Sequence, residues 1–178
     1  MPATESERRL AARLKVVDEH IMRENQHDLE SILQTFGRTA RYDDEPWDAH
    51  YIGHNGVRTY YDSLLKAMPD LRIEVQRRYA SNEAVVVEVI IVGHHLGAWR
   101  GLPPTGRAVR FPPLCGIFAF DDDDRLAGEK SYYDRATVMR QLGIFHEPDR
   151  LLGRIAMLMH PLTVARMMWR MVLMRRRA

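Results

Sequence analysis

The spacing of apolar residues predicts an α+β fold: N-terminal helices packed on a curved antiparallel sheet, a cone-shaped α+β roll, with a C-terminal helical extension. Three observations predict it. Leu10, Leu14, Val17 and Ile21, then Leu29, Leu33 and Phe36, recur at helical spacing. Four strand-like stretches follow between residues 71 and 134, joined by short turn-forming segments. In the third of them, Pro112-Pro113 would remove ladder donors and bend the sheet.

Taken in order, residues 5–36 form an amphipathic helix or two, broken near Asn25 and stopped by Gly37. A short extended piece, Thr39 to Asp43, leads into a loop holding Pro46 and Trp47. Asn55 is placed to cap a second helix, whose stripe of Val57, Tyr60, Tyr61, Leu64, Leu65 and Met68 ends at Pro69. The expected strands are 71–79, 84–95, 107–120 and 125–134. Ser81-Asn82, the loop Gly101 to Arg107 and the acidic run Asp121 to Asp124 join them as antiparallel hairpins. In the middle loop Pro103 and Pro104 fix φ while Gly106 can take φ > 0. Strand 84–95 is apolar at both parities, with Val85, Val87, Val89 and Ile91 on one face and Val86, Ile90 and Val92 on the other. Such a strand is covered on both sides: helices meet the first face, and a second subunit, in a homodimer, meets the other.

The single cysteine, Cys115, excludes an internal disulfide and fits a reducing compartment. The early arginines are not followed by an apolar run, so no secretory signal is read and the cytoplasm is expected. The formal charge of +2 hides an asymmetry. Residues 151–178 hold six arginines and no acid, which leaves 20 of the 26 basic side chains against all 24 acidic ones in residues 1–150. A boundary near Pro148 therefore separates a domain, residues 1–147, from a basic, Met-rich extension, residues 148–178. Two helices, 149–160 and 162–176, are expected there, split at Pro161 and too interrupted by charge and proline to span a bilayer. Three partners compete for it: the domain or its partner subunit, an anionic membrane surface in peripheral contact, and nucleic acid, the least favoured.

Two motifs carry the functional reading. One is Gly93-His94-His95-Leu96-Gly97 with the loop Gly101 to Arg107; the other is Glu129-Lys130-Ser131-Tyr132-Tyr133-Asp134, continuing through Ala136, Thr137 and Arg140 to Gln141-Leu142-Gly143. With the step Met68-Pro69-Asp70-Leu71, these resemble the SnoaL-like polyketide cyclase (ester cyclase) family of the nuclear transport factor 2-like superfamily, over about residues 10 to 145. The resemblance implies cofactor-free acid/base chemistry in the cone, of cyclase or isomerase type, on a small hydrophobic or polyketide-like ligand. It implies that Asp134 is the general acid/base, since a carboxyl in a dry pocket has its pKa raised towards the working pH.

By alternation Lys130, Tyr132 and Asp134 share one face, so Tyr132 is a candidate hydrogen-bond partner for a substrate oxygen. His95 has the parity of Val87, Val89 and Ile91 and is the candidate to polarise a carbonyl. Trp47, Tyr60 and Arg110 complete the candidate substrate contacts. For Asp134 the plainer alternative is a helix cap for Arg135–Leu142. No metal or cofactor is expected. His50 and His54 are four apart, but Gly53 and the Asn55 cap place them on a loop, and His94 and His95 point to opposite faces. The acidic run lacks the glycine and distal glutamate of a calcium loop. Three functions remain open: an enzyme working through Asp134, a non-catalytic binder of the same fold, and an interaction module associated with membranes through its tail.

Overall fold

In the computed structural model, which describes residues 4–158, 160, 165 and 169, Thr4 opens helix α1 (Glu5–Asn25) with a capping box. The Thr4 hydroxyl accepts from the Glu7 N–H at 3.2 Å, and the Glu7 carboxylate accepts from the Thr4 N–H at 2.7 Å. Val17, His20, Ile21 and Glu24 form its buried stripe. The expected break follows at once: His27 takes φ +57°, and Asp28 caps a short helix, α2 (Leu29–Gln34).

Strand β1 (Arg41–Asp44), a 3-10 turn (Glu45–Trp47) and β2 (Ala49–Ile52) lead into α3 (Gly53–Ala67). This helix begins earlier than expected, at Gly53, and Asn55 is not its cap; Ile52 stands at that position without a side-chain bond. Gly53 makes the entry possible, with φ +71° and its N–H on the Ala40 carbonyl at 2.7 Å. His50 therefore lies on β2 and His54 in the first turn of α3 rather than on a loop.

The remaining strands are β3 (Arg72–Ala80), β4 (Ala84–His94), β5 (Ala108–Arg110), β6 (Leu114–Phe120) and β7 (Leu126–Tyr132). Phe111-Pro112-Pro113 divide the stretch expected as one strand into β5 and β6, which both pair with β4. The sheet runs β2-β1-β7-β6-β4-β3, and it is mixed rather than wholly antiparallel, because β1 lies parallel to β7. The piece Thr39 to Asp43 reads as a short extended segment, and only tertiary pairing decides that it closes the cone against β7. Loop 95–107 is pinched at its base: the His95 N–H meets the Arg107 carbonyl at 3.0 Å, and the Gly106 N–H meets that of His95 at 2.9 Å. On β4, Val85, Val87, Val89 and Ile91 are buried beneath the helices, while Val86, Ile90 and Val92 are half-buried on the outer face.

The chain divides into two compact units, Met1–Leu142 and Gly143–Ala178. The first ends in helix α4 (Arg135–Gln141). In the second, α5 (Leu151–Leu158) falls within the first helix expected of the extension and exposes Leu151, Leu152 and Ile155; the helix expected at 162–176 lies largely outside the described residues. No described helix is long and apolar enough to cross a membrane.

Candidate active site

The inner face of the sheet is ordered in rows by its register. Tyr42, Glu129, Phe118 and Val85 lie side by side across β1, β7, β6 and β4; Asp44, Ser131, Gly116 and Val87 form the next row. With α1 and α3 above, these rows enclose a cavity of about 30 Å³, lined by Glu24, Tyr42, Tyr60, Gly116 and Glu129 among apolar side chains. Tyr42 and Tyr60 stack with ring centroids 3.6 Å apart, and the Tyr60 hydroxyl donates to that of Tyr42 at 2.7 Å.

Asp44 ends β1 and is 1% exposed. One carboxylate oxygen, Oδ2, is ion-paired with Arg100; the other, Oδ1, has no partner at close hydrogen-bond distance, and the Tyr133 hydroxyl is the polar group that also acts on the carboxylate. Burial raises the Asp44 pKa above the ordinary aspartate value, against the opposing pull of the Arg100 charge. Arg100 is a non-glycine residue at φ +53°, in the loop after β4, and its guanidinium lies 5.2 Å from the Trp47 ring centre. Trp47 Nε1 donates to the Tyr133 hydroxyl at 2.9 Å, and burial lifts the Tyr133 pKa. Beside Asp44 on the register, the buried Ser131 hydroxyl has no partner at close hydrogen-bond distance, and the Tyr42 hydroxyl is the polar group it acts on.

His95 is 1% exposed. Its Nδ1 accepts the Thr105 N–H at 3.3 Å, so the ring proton sits on Nε2, which has no partner. Burial lowers its pKa and keeps it neutral near pH 7. Trp99 touches both His95 and Trp47, with centroid distances of 6.5 and 5.6 Å. Asp44 Oδ1, Ser131 Oγ and His95 Nε2 are the buried side-chain atoms without partners at close hydrogen-bond distance among the described residues. Such atoms are costly in a dry interior and mark places where a ligand or water completes the bonding.

Of the residues singled out from the sequence, the fold thus brings Trp47 and Tyr60 to the Asp44 site and buries His95 nearby. Asp134 is a correction. It is exposed and caps α4, accepting from the Ala136 N–H at 2.9 Å and from the Thr137 hydroxyl. The Thr137 hydroxyl and the α4 N–H groups hold its pKa below the ordinary value, so the shielded, raised carboxyl expected at Asp134 is absent there. The reason is the phase of the alternation. Glu129 and Ser131 pair with buried neighbours and point inward, so Lys130 and Tyr132 lie on the outer face, where Tyr132 is 43% exposed, and Asp134 stands beyond the end of β7. Arg110 is likewise outside the cavity: its backbone is bound by the Gln141 side chain, and its guanidinium lies 4.0 Å from Glu74.

A second buried polar group has no counterpart among the residues singled out from the sequence. His20 and Glu24, one turn apart on α1, meet Tyr61 of α3 and Glu129 of β7. The Tyr61 hydroxyl donates to Glu129 Oε2 at 2.7 Å. Burial lifts the Glu24 carboxyl to about 8, and the Glu24 and Glu129 charges outweigh burial to raise His20. The signal in the sequence is faint: two polar residues in the apolar stripe of α1, and a glutamate at an inward strand position.

The chain belongs to the SnoaL-like polyketide cyclase family, whose pattern matches residues 14–142. No curated protein matches it. Its fold is shared with a proposed SnoaL-like polyketide cyclase from Jannaschia sp. CCS1 at 17% identity and a TM-score of 0.70, covering 82% of this chain and 99% of that one. It is shared also with AclR, a proposed hydroxylase from Streptomyces galilaeus, at 23% identity and a TM-score of 0.67, covering 77% and 99%. A protein of ketosteroid isomerase-like fold from Catenulispora acidiphila, in complex with trimethylamine, aligns at 15% identity and a TM-score of 0.62, covering 73% and 93%. This fold is typical of cofactor-free cyclases and isomerases.

Proposed function

We propose that this protein is a small-molecule cyclase or isomerase acting on a polyketide-like substrate, with Asp44 as its general acid/base. The observation that carries the reading is Oδ1 of Asp44, a buried carboxylate oxygen without a partner at close hydrogen-bond distance, fixed by Arg100 through its other oxygen. A carbon acid next to a carbonyl needs a base that is dry and oriented with an oxygen to spare, and buried Asp44, held by Arg100 through Oδ2 with Tyr133 nearby, supports that role through Oδ1. Oδ1 takes the proton from carbon and returns it at the end of the ring closure or double-bond shift. The Ser131 hydroxyl, paired with Asp44 in the register, would turn from Tyr42 to donate to the developing enolate oxygen, and His95 Nε2–H offers a fixed donor to a more distant carbonyl. Trp47 and Tyr60 supply apolar contact. The small cavity reaches Tyr42, Tyr60 and Glu129 but not Asp44, so on this reading the Tyr42–Tyr60 pair must move before a substrate in it meets Oδ1.

The test is turnover of two probes, a β,γ-unsaturated ketone for isomerisation and an aldol-competent polyketide ester for ring closure. Turnover of either by the wild type, lost in Asp44→Asn, supports the reading. Turnover of neither, or an Asp44→Asn variant as active as the wild type, overturns it. We further propose a cytoplasmic homodimer joined through the outer face of β4, which the half-buried Val86, Ile90 and Val92 support.

A further inference from the structure

His20, Glu24 and Glu129 take no part in the chemistry assigned to Asp44, yet their geometry is specific. One atom from each lies within 4.8 Å of the others, and all three residues are buried. His20 Nε2 stands 3.2 Å from Glu129 Oε2 and 3.7 Å from Glu24 Oε2. Ligands about 2.0–2.1 Å from a tetrahedral zinc ion are about 3.3 Å from one another, so these separations bracket what such an ion imposes.

The tautomer of His20 points the same way. Thr35 Oγ1 donates its proton to the Ile32 carbonyl at 2.6 Å and is 2.7 Å from His20 Nδ1, so it accepts from Nδ1–H. Nε2, 2.9 Å from the Tyr61 hydroxyl and 3.2 Å from Glu129 Oε2, faces the carboxylates and offers its lone pair to a metal once its proton leaves. The donor facing this group is the Tyr61 hydroxyl, which goes to Glu129. Three ligand atoms therefore converge in a water-poor interior, where protons on His20 and Glu24 hold them together and where a divalent cation, on displacing those protons, would supply the same positive charge. A metal-bound histidine shows the same pattern, with its second nitrogen donating to an outer hydroxyl or carboxylate and its carboxylate co-ligand hydrogen-bonded in turn.

We propose that His20, Glu24 and Glu129 form a binding site for a divalent cation of the zinc class, which ties α1 to β7. One imidazole and two carboxylates suit zinc, manganese or ferrous iron over calcium, which prefers oxygen alone. Glu24 and Glu129 both line the cavity, so the coordination left open by the protein faces room for water. This site is independent of the role of Asp44.

The test uses the full-length, tag-free protein, treated with chelator and then dialysed against micromolar Zn²⁺ or Co²⁺. The expected results are one ion per chain by elemental analysis, a visible Co²⁺ ligand-field band, and a higher melting temperature with Zn²⁺. Glu24→Gln and Glu129→Gln should each weaken Zn²⁺ binding by about 10-fold or more, whereas Asp122→Asn, in the exposed acidic turn, should leave it unchanged. Failure to retain any ion overturns the proposal, as does undiminished binding by a Glu24→Gln variant with a wild-type circular dichroism spectrum. Should the glutamine variants not fold, the wild-type Co²⁺ spectrum decides: an octahedral, all-oxygen spectrum, or none, refutes the site.

Discussion

Replacing Asp44 by Asn changes one atom and separates the chemical role of this residue from a structural one. If Oδ1 is the base, turnover falls by about 10² to 10⁴, or roughly 3 to 5 kcal/mol of barrier at 1.36 kcal/mol per decade. The effect on stability has the opposite sign. Because burial raises the folded-state pKa of Asp44 above its ordinary value, its contribution to stability is full below the unfolded pKa and is lost as pH rises through the folded one. At pH 7 the ionised carboxylate is therefore a net cost, about 1.4 kcal/mol for every tenfold weakening of its acidity on folding, and a neutral amide avoids it. Asn also retains an oxygen for Arg100. The variant should melt at or above the wild-type temperature at pH 7, and the difference should vanish as pH falls towards 4. The acid limb of the wild-type rate profile should lie above the usual aspartate range. Scanning calorimetry across pH, with turnover of a responsive probe, measures both. A melting temperature lowered by more than about 3 °C at pH 7, close to 1 kcal/mol in a chain of this size, would refute the reasoning by making the Asp44–Arg100 pair a net stabiliser. Undiminished turnover would refute the assignment of the base.

Asp134→Ala should cost about 1 kcal/mol and Asp134→Asn only a few tenths, read by thermal melting, with turnover unchanged in both, because the residue caps α4. The depressed pKa of Asp134 gives the matching pH dependence: the cap stabilises above the unfolded pKa and weakens as pH falls through the folded one. Gly97→Ala should destabilise by about 1 to 3 kcal/mol in denaturant titration, since a Cβ there would stand 2.2 Å from the Lys66 carbonyl oxygen. Ile90→Glu on the outer face of β4 should shift light-scattering mass from dimer to monomer, leaving the far-ultraviolet spectrum unchanged.

The sequence alone determined the class of fold and most of its joints, because these depend on local chemistry. Period-3.6 stripes mark α1 and α3, two-sided β-branched runs mark β4, Pro112-Pro113 split a strand, and the acidic run Asp121 to Asp124 makes a turn. It also singled out Tyr60 and His95, whose inward positions follow from an apolar helix face and from strand parity. It misplaced the buried carboxylate. Asp44 ends β1 and Asp134 follows β7 by two residues; they are equally prominent as letters, and what separates them is the phase of the sheet. Pairing of Tyr42 with Glu129 and of Asp44 with Ser131 turns the odd residues of β7 inward and leaves Asp134 in water on a helix N-terminus. The parallel pairing of β1 with β7, the contact of Arg100 with Asp44 across 56 positions, and the meeting of His20 with Glu129 across 109 are likewise decided only by the tertiary structure. A pKa follows from burial and neighbouring charge, and those exist only once distant segments pack together.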